Sequence, residues 1–497
     1  MNARESCMKK YVLAYDLGTS GVKGALVTPD GEVAFTATVS YPLYTAEGGI
    51  AEQEPSDYWR GVCSVTRAVL EKGKVSPDAV IGMALDTMWK GIIPVDEAGR
   101  VLHRSIIWLD SRSVEEARLL NERFGEGKFT SADYWPKLFW LRRNRPDVFE
   151  NAVTVFEVNS YIKWRATGVA SVDEGNDFVH STDPKLDAFY AKLMDFMDIP
   201  REKFPQVAPS CGLVGHVTEE ASHELGLPVG VPVFGGTSDI NAIAMGAGTA
   251  AVGGVHIYFG SSGWIGYTLA HEFKKLYFSP FDEKRDVHIM GSQAIGLSYN
   301  WALDRFYGEE KKALGDGIYA LLDQQLSEIP AGSEGVFATP WFYGERPPLF
   351  GRDARGNFLG LGAIHDRRHM TRAVMEGVCY QLRMGAEYNA NIGRPLPKKV
   401  SAIGGGSCSG IWMQILADVL NVTIEVPDAT RHAGTLGTAY CALVGLGLCN
   451  DVEDAASRVK IANVYTPNPE AVAVYEKGYR VFEKIYGTLA PLFECDN

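Results

Sequence analysis

The sequence predicts an α/β protein of two domains built on mixed sheets. Three observations lead there. The chain has 497 residues, more than one hydrophobic core usually organises. Its opening reads strand, strand, strand, helix, strand, which is an α/β pattern. And each half opens on a small Gly/Ser/Thr turn between two strands, a faint duplication of a whole half-chain. The boundary falls near residue 252, giving domains 1–251 and 252–497.

The elements follow in order. "YVLAYD" is a buried strand, "GVKGALVT" a second after the turn "LGTS", and "EVAFTATVS" a third after the turn signal "PDG". Pro55 and Ser56 then start a helix that sets Tyr58, Val62, Val65 and Val69 on one face. "AVIGMAL" is a strand, and "GIIPV" with "VLHRSIIW" forms a hairpin around "DEAG". In the second half, "AVGGVHIYF", the turn "GSSG" and "WIGYTL" repeat the opening theme. A strand "EGVFAT", a long helix across "RAVMEGVCYQLRMGAEY", a strand "KKVSAIGGG" and helices over "IWMQILADVL" and "GTLGTAYCALVG" complete the reading. The run "FYGERPPLFGRDARGNFLGLG" is too rich in Gly, Pro and Arg for core, and long polar loops of this kind carry function or move.

Composition excludes several classes. A hydrophobic fraction of 46% and a charged fraction of 22% are those of an ordinary globular chain. A net charge of -13 speaks against a nucleic-acid binder, because phosphate backbones require a basic face. No apolar run is long enough to span a bilayer, and the start, in which Met8 would serve as an alternative initiator, lacks a signal-peptide core. The expectation is a cytoplasmic protein without a membrane partner. The eight cysteines are scattered, with no CxxC, as for reduced and mostly buried thiols. His365 and His369 stand four apart in a very polar run without a third ligand, and read as a solvated face.

Four glycine-rich turns bear on chemistry. In "DLGTSGVKG", Asp16 ends a strand, Gly18, Thr19, Ser20 and Gly21 turn, and Lys23 follows. Backbone amides and hydroxyls in such a turn can wrap phosphate oxygens, and an acid beside them can hold Mg²⁺ through water. A capped hairpin is the plainer reading, and the motif is neither a Walker A loop nor a dinucleotide loop. "FGSSGW" is a second turn of the same kind, with Gly260, Ser261 and Ser262. "GGGSCSGIW" runs from a strand into a helix, where close backbone approach and a helix N-terminus favour a polar or anionic ligand. "GGTSDIN" places Asp239 at the start of a small-residue helix, where it is held ionised. An N-cap acid would look the same, but a cap needs no such run of small neighbours.

In order and spacing these motifs resemble the FGGY carbohydrate kinases. The match runs nearly end to end, through "YDLGTSGVKGALV", "IIWLDSRS", "KLFWLRRNRPDVF", "GGTSD", "GSSG", "GERPP…ARGNFLGL" and "GGGSCSGIWMQILADVL", and is nearest the xylulokinase branch. The resemblance implies two actin-like domains, of the sugar kinase/Hsp70/actin, ribonuclease H-like type, flanking a central cleft. It implies an ATP- and Mg²⁺-dependent kinase of a small sugar, with D-xylulose the leading candidate. Gluconate, ribulose, a polyol or glycerol are the alternative substrates, and a non-enzymatic ATP-binding protein of the same fold the alternative class. Asp239 would be the general base and Asp16 would support Mg²⁺. Gly18, Thr19, Ser20 and Lys23 would face the terminal phosphates with Gly260, Ser261 and Ser262, while Gly405, Gly406 and Ser409 would lie along the nucleotide. A homodimer is the oligomer suggested.

Two sugar-contacting positions depart from the pattern. Where the xylulokinases carry Gln-Met-His-Gly, this chain has Met88-Trp89-Lys90-Gly91, and Ile240 follows the base in place of Asn or Gln. Trp89 can stack on a sugar face, and Lys90 can donate to hydroxyls or pair with a carboxylate. The changes bear on which sugar is taken and leave the phosphoryl-transfer parts intact.

Overall fold

The structure is a computed structural model that describes residues 9–271, 279–346, 348–351 and 353–493. Met8, Cys7, Cys495 and, within the "GERPP…ARGNFLGL" run, Pro347 and Arg352 lie outside them.

Two compact units form. The first comprises residues through Gly246 with Ala270–Val287 and Gly434–Arg458; the second comprises Ala247–Leu269, His288–Ala433 and the residues from Val459 on. The units thus do not divide the chain at a single point.

The first unit is built on strands β1 (Tyr11–Gly18), β2 (Gly21–Val27) and β3 (Val33–Ser40), then helix α1 (Pro55–Gly73) and strand β4 (Val80–Thr87). Helices α2 (Tyr134–Asn144) and α3 (Val158–Thr167), strands β5 (Leu213–His216) and β6 (Pro232–Phe234) and helix α4 (Asp239–Gly246) follow. The sheet order is β5-β6-β4-β1-β2-β3. β1, β2 and β3 pair antiparallel, while β4 lies parallel to β1, so the sheet is mixed as expected. Buried side chains of β1 alternate with those of β2 and β4 to form a core closed by Tyr58, Val62, Val65 and Val69 of α1 and Val158 and Ile162 of α3. A separate cluster around Trp135, Leu138, Phe149 and Leu193 holds the segment carrying α2.

The second unit holds strand β7 (Val255–Phe259), β8 (Gly263–Ala270) up to Leu269 and β9 (Arg285–Ser292) from His288 on, then helices α5 (Gly317–Ser327) and α6 (Arg367–Asn391). Strand β10 (Lys399–Ile403), helix α7 (Gly410–Leu420), strands β11 (Thr423–Pro427) and β12 (Ile461–Tyr465) and helix α8 (Pro469–Phe493) complete it. Its sheet runs β9-β8-β7-β10-β11-β12, with β7 antiparallel to β8 and parallel to β10. One core unites Ile257, Ile265, Met375, Trp412, Leu416 and Phe482. A buried ion pair, Arg372 Nε to Glu376 Oε1 at 3.0 Å, ties α6 to Tyr475 of α8.

One expectation is met and two are corrected. The hairpin around "DEAG" forms, with antiparallel bridges Val95–Val101 and Ile92–Ile106 and Asp96 N–H donating to Arg100 O at 3.0 Å; in addition Ile93–Val95 pairs with Thr154–Phe156 and Ser105–Ile106 with Ile50–Gln53. His369 is buried, not solvated: it stands at the third position of α6 in a capping box with Asp366. The Gly/Pro/Arg-rich run contributes Phe350 and Ala354 to the core. It is pinned there by the buried Glu345, which accepts from Gln293 N at 2.6 Å and from Ser292 Oγ at 3.1 Å.

Among the described cysteines, Cys63, Cys379, Cys441 and Cys449 are buried, Cys211 is half-buried and Cys408 is exposed, all as free thiols. No helix among the described residues is long and apolar enough to cross a membrane.

Candidate active site

Sheet register brings three acids of the first unit to one end. Asp16 stands opposite Lys23 on β2 and opposite Asp86 on β4, and Asp86 in turn pairs with Thr237, two residues before Asp239. Residues directly opposite on neighbouring strands share a face of the sheet. The end in question is the carboxyl end of β1 and β4, where parallel-strand proteins place their ligands.

Asp16 is half-buried and bonds Lys23 Nζ at 3.0 Å. Asp86 is fully buried. Its carboxyl is held far above the usual range, first by burial and then by the charge of Asp16, while Thr438 Oγ1 donates to its Oδ2. Its Oδ1 has no hydrogen-bond partner. Asp239 starts α4 and accepts from Ile240 N at 2.9 Å; burial, and next the charge of Asp16, push its carboxyl up to about 7. The N-cap bond itself comes from Ser238 Oγ, which accepts from Asn241 N at 3.4 Å. Asp239 is therefore not itself the cap, and its pKa is suited to accepting a proton at neutral pH.

Backbone packing positions Asp239. Gly236 has φ +69, and a Cβ there would stand 2.0 Å from the Leu85 carbonyl of β4. The small-residue helix admits the segment Gly434–Arg458 with equal closeness, since a Cβ on Gly437 would lie 1.8 Å from Ala242 O. α3 clamps the same segment from the other side. Lys163 Nζ donates to Gly235 O at 2.9 Å, and Asn159 Nδ2 donates to Leu85 O at 2.9 Å and to Thr237 O at 3.4 Å.

The turn Gly18–Gly21 is equally fixed. Tyr41 OH donates to Gly18 O, Gln53 Nε2 to Thr19 O at 2.7 Å and Trp108 Nε1 to Thr19 Oγ1 at 2.9 Å, while Ser20 is exposed.

The Trp89-Lys90 turn lies on α2. Lys90 Nζ meets Asp133 Oδ1 at 2.6 Å, and Trp89 donates from Nε1 to Gly175 O at 2.8 Å with its ring against Phe178. Both are half-buried, whereas Met88 and Ile240 are buried.

In the second unit, the turn Gly260–Ser262 is braced by the start of the helix Gly296–Phe306. Gly296 N donates to Gly260 O at 2.9 Å and Leu297 N to Ser261 O at 3.0 Å. Ser261 is left exposed and Ser262 half-buried. In the turn before α7, Gly405 is exposed with open space on its side-chain face, while Gly406 packs on Phe259 and Trp412. The Ser409 hydroxyl is engaged twice, donating to Asp323 Oδ1 at 2.7 Å and accepting from Trp412 N at 3.2 Å as the cap of α7.

Asp86 and Thr438 have no place in the sequence reading. The acid at a strand's carboxyl end was a usable signal; Thr438, 352 residues away, offered none.

Residues 11–246 match the family model for the N-terminal domain of the FGGY family of carbohydrate kinases, and residues 255–446 match that for its C-terminal domain. A xylulose kinase of Bacillus subtilis is 27% identical, over 96% of this chain and 97% of that protein. Two crystal structures from Lactobacillus acidophilus, a ligand-bound xylulose kinase and a gluconate kinase, superpose with TM-scores of 0.84 and 0.83. Each is 24% identical and is matched over 97% of this chain and 98% of its own. The fold is thus shared by proteins named for different sugars.

Proposed function

The chain belongs to the FGGY family of carbohydrate kinases, and within it we propose a kinase that transfers the γ-phosphate of ATP to a hydroxyl of a small neutral sugar, D-xylulose the leading candidate. The observation that carries the reading is the placing of Asp239, with its raised pKa, on the same sheet end as Asp16 and the Gly18–Gly21 turn.

Asp239 takes the proton of the sugar hydroxyl as that oxygen attacks the γ-phosphorus. Thr19, Ser20 and Lys23 of the first unit hold phosphate oxygens, with the backbone of Gly18. In the second unit Gly260, Ser261 and Ser262 hold phosphate, and the backbone of Gly405 and Gly406 lies along the nucleotide. Ser409 acts there through its cap, which shapes the turn. Phosphoryl transfer needs mainly positioning and charge stabilisation, which rigid turns supply.

Mg²⁺ fits the first unit. Asp16 and Asp86 are hard oxygen donors in register, and Asp86 Oδ1 is buried without a partner. Among the described residues no group of three or more His, Cys, Asp or Glu is set to hold a metal ion. That suits an ion usually held by one or two carboxylates, phosphates and water. When bound, it neutralises phosphate charge. Asp16 would hold it, and Lys23 would keep the Asp16 carboxylate aligned.

The Lys90–Asp133 pair supports a neutral substrate. Its 2.6 Å contact offers adjacent hydroxyls one donor and one acceptor with no net charge. A second reading, an aldonate kinase, has Lys90 leave Asp133 for the substrate carboxylate. A coupled ADP-release assay across ketopentoses, aldonates, polyols and glycerol decides between them: turnover is expected with D-xylulose, and a panel with no turnover above the sugar-free blank rejects the kinase reading. The oligomer we propose is a homodimer, checked by sedimentation.

Replacing Lys90 by Ala is expected to raise the sugar KM about tenfold or more, the loss of a charge-assisted hydrogen bond, with the ATP KM near wild type. Equal damage to both constants would reject a sugar contact. A preference for acidic sugars that vanishes in the variant would favour the aldonate reading.

A further inference from the structure

The peptide group joining Lys90 to Gly91 lies between two buried titratable side chains. Lys137 Nζ donates to its carbonyl, Lys90 O, at 2.7 Å and to Ile107 O at 3.0 Å. On the amide side the Glu157 carboxyl packs against Gly91, while its Oε2 accepts from Val158 N at 3.0 Å. Lys137 is fully buried and Glu157 nearly so. Gly91 has no room for a side chain: a Cβ would stand 2.6 Å from Val158 Cγ2 and 3.3 Å from Glu157 Oε2.

This grip matters because Lys90 is strained. Its φ is +67, left-handed for a residue with a Cβ. Such a conformation persists only where the surroundings over-determine it. The same helix that supplies Lys137 in its first turn has Asp133 at its N-cap position, and Asp133 receives the Lys90 ammonium at 2.6 Å. Asp133 is itself fixed, its Oδ2 accepting from Thr130 N and Thr130 Oγ1, both at 2.8 Å. The backbone and the head of Lys90 are therefore both referred to α2.

Burying a lysine and a glutamate to hold one peptide group is costly. Burial brings Lys137 down to about 7 and takes Glu157 up to about 8.

We infer that Lys137 and Glu157 are positioning residues for sugar selectivity: by clamping the Lys90–Gly91 peptide they hold Lys90 in its left-handed conformation, with its ammonium preset for the sugar hydroxyls. The inference rests on the proposed role of Lys90 in sugar binding. It requires no contact between either residue and the sugar.

The test is a double-mutant cycle read in selectivity, the ratio of kcat/KM for the best sugar of the panel to that for a poorer one. Lys137→Met and Glu157→Ala are each expected to lower the ratio about tenfold with an ATP KM within twofold of wild type. Glu157→Gln keeps the size of the side chain packed against Gly91 and is expected to retain most of the selectivity. In a Lys90→Gly background, where the left-handed backbone is no longer strained, the same changes are expected to add nothing.

Melting curves identify any variant that fails to fold. Glu157→Gln and Glu157→Ala probe the amide side of the peptide independently of Lys137→Met. Should both disruptive variants fail to fold, Lys137→Gln, whose shorter side chain no longer reaches Lys90 O, takes their place: a lowered selectivity ratio upholds the clamp and a wild-type ratio overturns it. Folded Lys137→Met and Glu157→Ala proteins with wild-type selectivity overturn the inference while leaving the kinase reading standing. Equal losses with and without Lys90 also overturn it, because the two residues would then act by another route. A wild type that phosphorylates no sugar overturns both.

Discussion

Asp239→Asn is expected to lower kcat by about 10²–10⁴-fold, the range associated with loss of a general base, while sugar and nucleotide affinity stay near wild type. Asn keeps the volume of the side chain, but its amide cannot take the hydroxyl proton. The helix start survives because the N-cap bond comes from Ser238, not from Asp239. Nucleotide affinity can even rise, since a negative charge near the γ-phosphate has gone. The comparison is kcat against calorimetric affinity for each ligand, with melting temperature as the folding control. A kcat close to wild type would reduce Asp239 to a structural acid.

The raised pKa of Asp239 sets two pH dependences of opposite sign. Catalysis needs the carboxylate, so wild-type kcat/KM is expected to rise about tenfold per pH unit below the pKa and level off above about 7. Stability runs the other way. The folded protein holds this proton to higher pH than the unfolded chain does, so between about pH 4 and 7 it binds more protons, and ionisation costs stability as pH rises. The Asn variant escapes that cost. Its melting temperature relative to wild type is expected to be higher at pH 8 than at pH 5.

The parts of this site that were legible in the sequence are those whose signal is local. Asp16 and Asp239 each sit at a strand end or helix start among glycines and hydroxyls, and each marks itself within seven or eight residues. The opening hairpins were legible for the same reason, since β1–β2 and β7–β8 pair across short turns. What escaped was whatever depends on remote backbone. Lys137, Asn159 and Lys163 act on carbonyls of Lys90, Leu85 and Gly235. Every residue has a carbonyl, so no side-chain pattern announces the partner, and a lysine in a helix reads as solvated until the fold buries it. Asp86 escaped differently: the strand was read as ending at Leu85, one residue short of it, whereas the observed strand continues to Thr87. The hairpin around "DEAG" is local and legible like the opening hairpins, whereas the further partners of Ile93–Val95 and Ser105–Ile106 are remote in sequence and carry no local signal.

Lys163→Met is expected to cost about 3–5 kcal/mol of stability at neutral pH, the range for breaking a buried charge pair by removing one partner. Lys163 and Asp173 are both fully buried, with Nζ 3.7 Å from Oδ2. Burial brings the lysine down to about 8, which leaves it mostly charged at pH 7, and raises the Asp173 carboxyl against the opposing pull of Lys163. Methionine fills most of the volume but leaves Asp173 with Asn176 alone, through bonds of 2.9–3.1 Å. The stranded carboxyl then rises further and escapes its penalty only by taking a proton. Its folded pKa lies above its unfolded one, so the variant loses stability as pH rises through that window. The deficit against wild type, from denaturant unfolding, is therefore expected to be larger at pH 8 than at pH 5. An equal deficit at the two pH values would mean that Lys163 matters for its packing alone. Adding Asp173→Leu should recover much of the loss, because an apolar pair in place of a buried ion pair is often neutral or stabilising. It should not recover kcat, since Gly235 O, four residues before Asp239, still lacks the donor that holds it at 2.9 Å.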